Sequence, residues 1–121
     1  MTYARRPQDL HELFMKGVNT KDVDALMALY EPDSLTLGLD GSRLEGDAAL
    51  RAMLTGLVDA VDHLDGGTRK VIVHGDYALM SATFTANGGA VSGNSGEVAR
   101  RQPDGSWRFL IDDPTFARTE A

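Results

Sequence analysis

A chain of 121 residues, 42% of them hydrophobic, has room for one domain spanning 1–121 and enough apolar material for a core, and it is too apolar to stay disordered. Its net charge of −6 argues against a nucleic-acid partner, whose phosphates require a basic surface, and the absence of Cys excludes disulfides, thiol catalysis and Cys-based metal sites. Arg5 and Arg6 are followed by no apolar leader segment, and no apolar run approaches the roughly 20 residues of a membrane span, so a cytoplasmic protein without a membrane partner is expected.

Pro7 suits the first turn of a helix, and Leu10, Leu13, Phe14 and Val18 then recur at helical spacing until Gly17–Asn19. Thr20 can cap a second helix with Asp22 and Asp24 in its first turn; Val23, Leu26, Met27 and Tyr30 form its apolar face, and Pro32 stops it. The period then changes from 3.6 to 2: Leu35, Leu37 and Leu39 alternate with small polar residues, which predicts a strand ending at the Asp40–Gly41 turn. Asp47 caps a third helix with Leu50, Met53, Leu54, Leu57, Val58 and Val61 on one face, broken by Gly66–Gly67. The remainder reads as strand: residues 69–74, residues 77–87, a small-residue loop over 88–96, residues 97–102, and residues 107–113 ended by Pro114. Helices followed by a meander of strands predict an α+β domain, with three helices covering the apolar face of a curved sheet.

The last hairpin assigns faces. With Asp104–Gly105 as a two-residue turn, Gln102 opposes Trp107, Arg100 opposes Phe109, Val98 opposes Ile111 and Gly96 opposes Asp113. That face carries Trp107, Phe109 and Ile111 and is expected to be the buried one. The other pairs Glu97 with Asp112 and Ala99 with Leu110, and is expected to be a surface or a dimer seam; a bulge near the turn would reverse the assignment.

Several segments in this order resemble one family: Ala28–Leu29–Tyr30, the strand 34–39, Glu45–Gly46–Asp47, the hairpin 75–80, and the run from Glu97 through Pro103–Asp104–Gly105–Ser106–Trp107 to Ile111–Asp112–Asp113–Pro114. Over nearly its whole length the chain is similar to the bacterial SnoaL-like branch of the nuclear transport factor 2-like superfamily, to which ketosteroid isomerases also belong. The resemblance implies a cone-shaped, cystatin-like roll with a cavity between sheet and helices, and a homodimer formed through the sheet face. It implies no single reaction, because this scaffold hosts isomerases, cyclases, dehydratases, hydrolases and non-catalytic proteins. The Asp base and the Tyr donor of the isomerases correspond to Gly38 and Phe14 here, which cannot perform those roles.

Among the remaining residues, Asp113 is the first candidate acid or base, following the apolar face of the last strand. Arg100 is its natural counter-charge, and Tyr30 a candidate donor at the end of the second helix. Phe14, Met53, Leu57, Met80, Phe84, Phe109 and Ile111 are expected to line the pocket beside these three, and Met27 the helix–sheet interior. His11 is placed on the polar side of the first helix, His74 beside a turn, and His63 near the pocket mouth; their spacing predicts no metal site, and no cofactor fingerprint is present. The expectation is a protein that binds a small apolar molecule. The alternatives are an isomerase, cyclase or hydrolase using acid–base chemistry, or a non-catalytic dimeric interaction module. A buried carboxylate with a raised pKa inside the cavity distinguishes the enzyme from the carrier, and a filled core beneath a large exposed apolar patch marks the interaction module.

Overall fold

The amphipathic stretch after Pro7 becomes helix α1 (Asp9–Asn19) in the computed structural model, which describes residues 3–117. The Asp9 carboxylate accepts the backbone N–H groups of Arg5 and Arg6, so the acidic first turn also ties down the incoming chain. Thr20 closes α1 rather than opening the next helix: its hydroxyl donates to the Lys16 carbonyl at 2.8 Å. The cap of helix α2 (Val23–Met27) is Asp22, whose carboxylate accepts from Ala25 N–H at 3.0 Å. The chain becomes strand earlier than expected. Strand β1 runs Tyr30–Leu37, so Tyr30 belongs to the sheet, and Pro32 sits inside the strand where its pairing slips between Tyr30 and Leu35. Such a slip tolerates a residue that cannot donate to the ladder.

A short strand β2 (Arg43–Glu45) returns on β1 through the turn at Asp40–Gly41. Helix α3 (Asp47–Ala60) follows, capped by Gly46 rather than Asp47. Strands β3 (Leu64–His74) and β4 (Tyr77–Ala86) then form a long hairpin that includes Gly66–Gly67, the expected break. At Gly66, φ is +147°, and a Cβ would stand 2.0 Å from the Thr83 carbonyl oxygen, so only glycine allows this approach of the two strands. The small-residue stretch contains β5 (Val91–Asn94), and the sheet ends with β6 (Gly96–Arg101) and β7 (Trp107–Asp113).

The sheet order is β2-β1-β7-β6-β4-β3, with β5 paired to the outer half of β4; among the described residues only the β1–β7 pair is parallel. This is the expected α+β architecture, a curved mixed sheet packed against three helices. Leu10, Val18, Leu26 and Leu54 are completely buried between helices and sheet, each contributing about 1.5–3 kcal/mol through its buried area.

The last hairpin departs from the expected register, with consequences for every candidate on it. Its loop is longer than two residues: Gly105, at φ +87°, donates to Gln102, whose own N–H reaches Ser106, and Trp107 opposes Arg101. A bulge at Leu110 restores the pairing, so that Val98 opposes Ile111 and Glu97 opposes Asp112. One extra residue reverses the alternation beyond it. Trp107 and Phe109 face inward as expected, but the next inward residue is Asp112, not Ile111 or Asp113. On β6 the inward residues are Glu97 and Ala99, while Val98 and Arg100 face outward.

Candidate functional site

A cavity of about 250 Å³ lies between the inner sheet face and helices α1 and α3. Its walls are largely apolar, with Phe14, Met15, Leu57, Phe84 and Phe109 prominent, and His11, Glu97 and Asp112 bring the ionisable groups to it. Each of those three is at most 8% exposed.

Register and helix phase bring them together. The cross-strand pair Glu97–Asp112 sets two carboxylates side by side on the inner face. Helix α1 crosses above and supplies His11, whose Nε2 lies 2.6 Å from Glu97 Oε1 and whose Nδ1 lies 2.6 Å from Thr68 Oγ1. An ionised Glu97 can only accept, which makes Nε2–H the donor. From β1, the Tyr30 hydroxyl donates to Asp112 Oδ2 at 2.6 Å, its ring packed 5.1 Å from that of Phe109. Oδ1 takes no hydrogen bond from a side chain among the described residues.

This setting changes the acidity of two groups. Burial first, and then the neighbouring Glu97 carboxylate, push the Asp112 carboxyl up to about 7, with the Tyr30 hydrogen bond opposing the rise. Burial and the Asp112 charge in turn hold the Tyr30 phenol well above its usual value. The site therefore contains a carboxyl that is half protonated near neutrality, held by a phenol that stays protonated.

Of the residues expected at the pocket, Phe14, Leu57, Phe84 and Phe109 line the cavity. Tyr30 stands behind Asp112, its hydroxyl spent on the carboxylate. Met80 is buried in the core, and Met53 packs against it from α3, neither lining the cavity. Ile111, Arg100 and Asp113 lie on the outer sheet face, because the bulge at Leu110 and the longer turn reverse the expected faces. Ile111 is 42% exposed, Arg100 is engaged by Glu31 at 3.0 Å through Nε, and the Asp113 carboxylate accepts from Thr115 N–H at 3.1 Å. Arg100 and Asp113 therefore do not form the expected pair inside the cavity. Gly38 ends β1 in a turn, its N–H donating to Ser42 at 2.8 Å.

The sequence places His11 on the polar side of its helix, and Glu97 and Asp112 on a surface or dimer seam, whereas the fold turns all three inward. His11 had a readable signal: with Phe14, Met15 and Val18 it completes an i, i+3, i+4, i+7 stripe. His63 and His74 are exposed, His63 beside Asp65 at 3.1 Å. Among the described residues no group of three or more His, Asp or Glu side chains could hold a metal ion, and no helix is long and apolar enough to cross a membrane.

Fold and cavity together define a cone-shaped α+β roll that encloses an acid-bearing apolar pocket. The chain belongs to the SnoaL-like domain family, whose model matches residues 11–110, and with it to the nuclear transport factor 2-like superfamily. Among solved structures it is similar to a cystatin-like-fold domain of unknown function from Nostoc punctiforme (TM-score 0.76, 17% identity, covering 94% of this chain and 75% of the other). It is also similar to a protein assigned as a dehydratase of the NTF2-like family from Streptomyces avermitilis (TM-score 0.70, 19% identity, 86% and 88% covered). A ketosteroid isomerase-like protein from Erwinia carotovora atroseptica is comparable (TM-score 0.70, 17% identity, 87% and 88% covered). At these identities the likeness is one of fold. No curated protein sequence matches the chain.

Proposed function

We propose that this protein is an acid–base catalyst of the isomerase or dehydratase type, acting on a small, mostly apolar molecule held in the cavity. The observation that carries this reading is Asp112: a buried carboxyl at the cavity wall, titrating near neutrality and fixed by Tyr30. A group with these properties takes a proton from one substrate atom and returns it to another at physiological pH, with no added co-reactant. Tyr30 is a positioning residue acting through Asp112, and Glu97 holds His11 and helps keep the neighbouring Asp112 carboxyl protonated up to neutrality. The apolar walls supply binding and exclude water. At about 250 Å³ the cavity is smaller than the roughly 300–1,000 Å³ usual for drug-sized ligands, which points to a compact substrate. The dehydratase- and isomerase-like neighbours share the fold, and the inference for this chain rests on its own acid.

Carbon-13 titration of the Asp112 carboxyl, with proton–deuterium exchange into a panel of enolisable cyclic ketones, tests the reading. A midpoint near 7 and exchange that disappears in Asp112→Asn are expected. A midpoint near 4 would refute it and favour a passive carrier of apolar ligands, the other reading the lining supports.

We also propose that the outer sheet face receives a second copy of the chain. Ile72, Val73, Tyr77, Leu79 and Ile111 are each more than 40% exposed there or on the protruding β3–β4 hairpin, a concentration of apolar side chains that a partner surface would cover. Sedimentation should give a dimer that Leu79→Asp converts to monomer; a wild-type monomer at micromolar concentration rejects the assignment.

A further inference from the structure

The charges at the cavity are one-sided. Among the described residues its lining includes two carboxylates, Glu97 and Asp112, and no Lys or Arg. Arg100, on the strand that carries Glu97, faces outward and is taken by Glu31. Among the described residues His11 is the only lining group that can carry positive charge, and both of its ring nitrogens are engaged, Nε2 by Glu97 and Nδ1 by Thr68. A ligand carboxylate entering this space would lose its hydration, meet two acids and find no free cationic donor among the described residues, a costly combination in a poorly solvated site. A protonated amine would meet the reverse: Asp112 Oδ1 is without a side-chain donor, Glu97 stands beside it, and the faces or edges of Phe14, Phe84 and Phe109 form the walls.

We propose that the cavity selects a compact apolar molecule carrying a protonated amine and rejects carboxylates, the ammonium docking on Asp112 beside Glu97. The inference rests on the reading of the cavity as a substrate site and narrows the class of substrate. It also joins binding to chemistry: the ammonium favours the ionised form of Asp112, releasing its proton, and so presents the carboxylate as a base next to the carbon that bears the nitrogen. The titratable groups around Asp112 are Glu97 from β6, Tyr30 from β1, His11 from α1 and Asp113 along β7, while α3 contributes neutral side chains to the cavity.

The probes are three molecules on one skeleton: 1-naphthylmethylamine, 1-naphthalenemethanol and 1-naphthoate, measured by isothermal titration calorimetry at pH 6 and pH 8. The amine is expected to bind at least tenfold more tightly than the alcohol at pH 8, with naphthoate weakest. Its preference should shrink by about tenfold at pH 6, because a carboxyl titrating near 7 falls from about nine-tenths to about one-tenth ionised over that interval. Repeating the pH 7 titration in two buffers of different ionisation enthalpy should show proton release with the amine and none with the alcohol. In Asp112→Asn the amine's advantage should vanish while the alcohol still binds; should that variant not fold, the wild-type proton count decides alone. Alcohol binding as tight as amine, or naphthoate tightest, overturns the amine class and leaves the cavity as a substrate site. Failure of all three to bind overturns the amine class together with the substrate site on which it rests.

Discussion

Replacing Asp112 by Asn should make the protein more stable at alkaline pH, by an amount that follows from the position of the carboxyl. In the folded chain Asp112 titrates near 7, whereas an unfolded Asp titrates near 4. Between these values the folded state holds a proton that the unfolded state has released, so stability falls as pH rises. The contribution is complete below about pH 4, declines by about 1.4 kcal/mol per pH unit, and is gone once pH has passed about 7, a total of about 4 kcal/mol. Asn carries no charge and keeps an oxygen able to accept from Tyr30, so it removes this slope. Urea unfolding of both proteins from pH 4 to pH 9 gives the test. The variant should match the wild type near pH 4 to within about 1 kcal/mol and exceed it by up to about 4 kcal/mol at pH 8. Parallel profiles, differing by a constant across that range, would refute the placement of an ionisable carboxyl in a poorly solvated site.

Tyr30→Phe removes the donor that opposes the rise of Asp112; the carboxyl midpoint, followed by carbon-13 NMR, should move up by about one pH unit, and an unchanged midpoint would show that the 2.6 Å contact carries no energy. His11→Ala leaves Glu97 buried without its partner and should cost about 3–5 kcal/mol at pH 7, read by urea unfolding, with a loss under about 1 kcal/mol counting against the buried pair. Gly66→Ala forces a Cβ to within 2.0 Å of the Thr83 carbonyl and should lower stability by about 3 kcal/mol or more; a variant melting within about 2 °C of wild type would contradict that strand geometry.

Much of the architecture was legible because it rests on repeated local signals. The stripe of Leu10, Phe14 and Val18 marks α1, the Leu50-to-Val61 stripe marks α3, and the alternation of Trp107, Phe109 and their neighbours marks β7 over the observed Trp107–Asp113. The wall of the pocket was legible for the same reason: Phe14, Leu57, Phe84 and Phe109 lie on faces that must be buried. The acids were not. Their orientation depends on a single unpaired residue, Leu110, as apolar as the residues that pair on either side of it, so nothing in its chemistry marks it as the point where the alternation reverses. Strict period 2 from Trp107 runs to Asp113, and the bulge makes Asp112 the inward residue. Tyr30 was misread for a related reason: an apolar residue after a helical stripe also fits the first inward position of a strand, and pairing with Phe109 decides between them.

Glu97, Asp112, Tyr30 and His11 come from four different elements and meet only through tertiary structure, so their grouping cannot be a by-product of local sequence. Nor does stability account for it. Two carboxylates side by side on a buried face repel one another, and holding Asp112 in its ionised form opposes folding across the physiological range. A Val or Leu at position 112 would continue the inward run of Trp107 and Phe109 without that cost. A fold that accepts a destabilising acid beside a cavity, and devotes a buried phenol to orienting it, has the pattern of a site retained for what it does to a bound molecule. The same reasoning separates this acid from Asp113, one residue further along the chain: outside, on Thr115, a carboxylate closes a turn at little cost; inside, on Tyr30, it becomes a proton carrier.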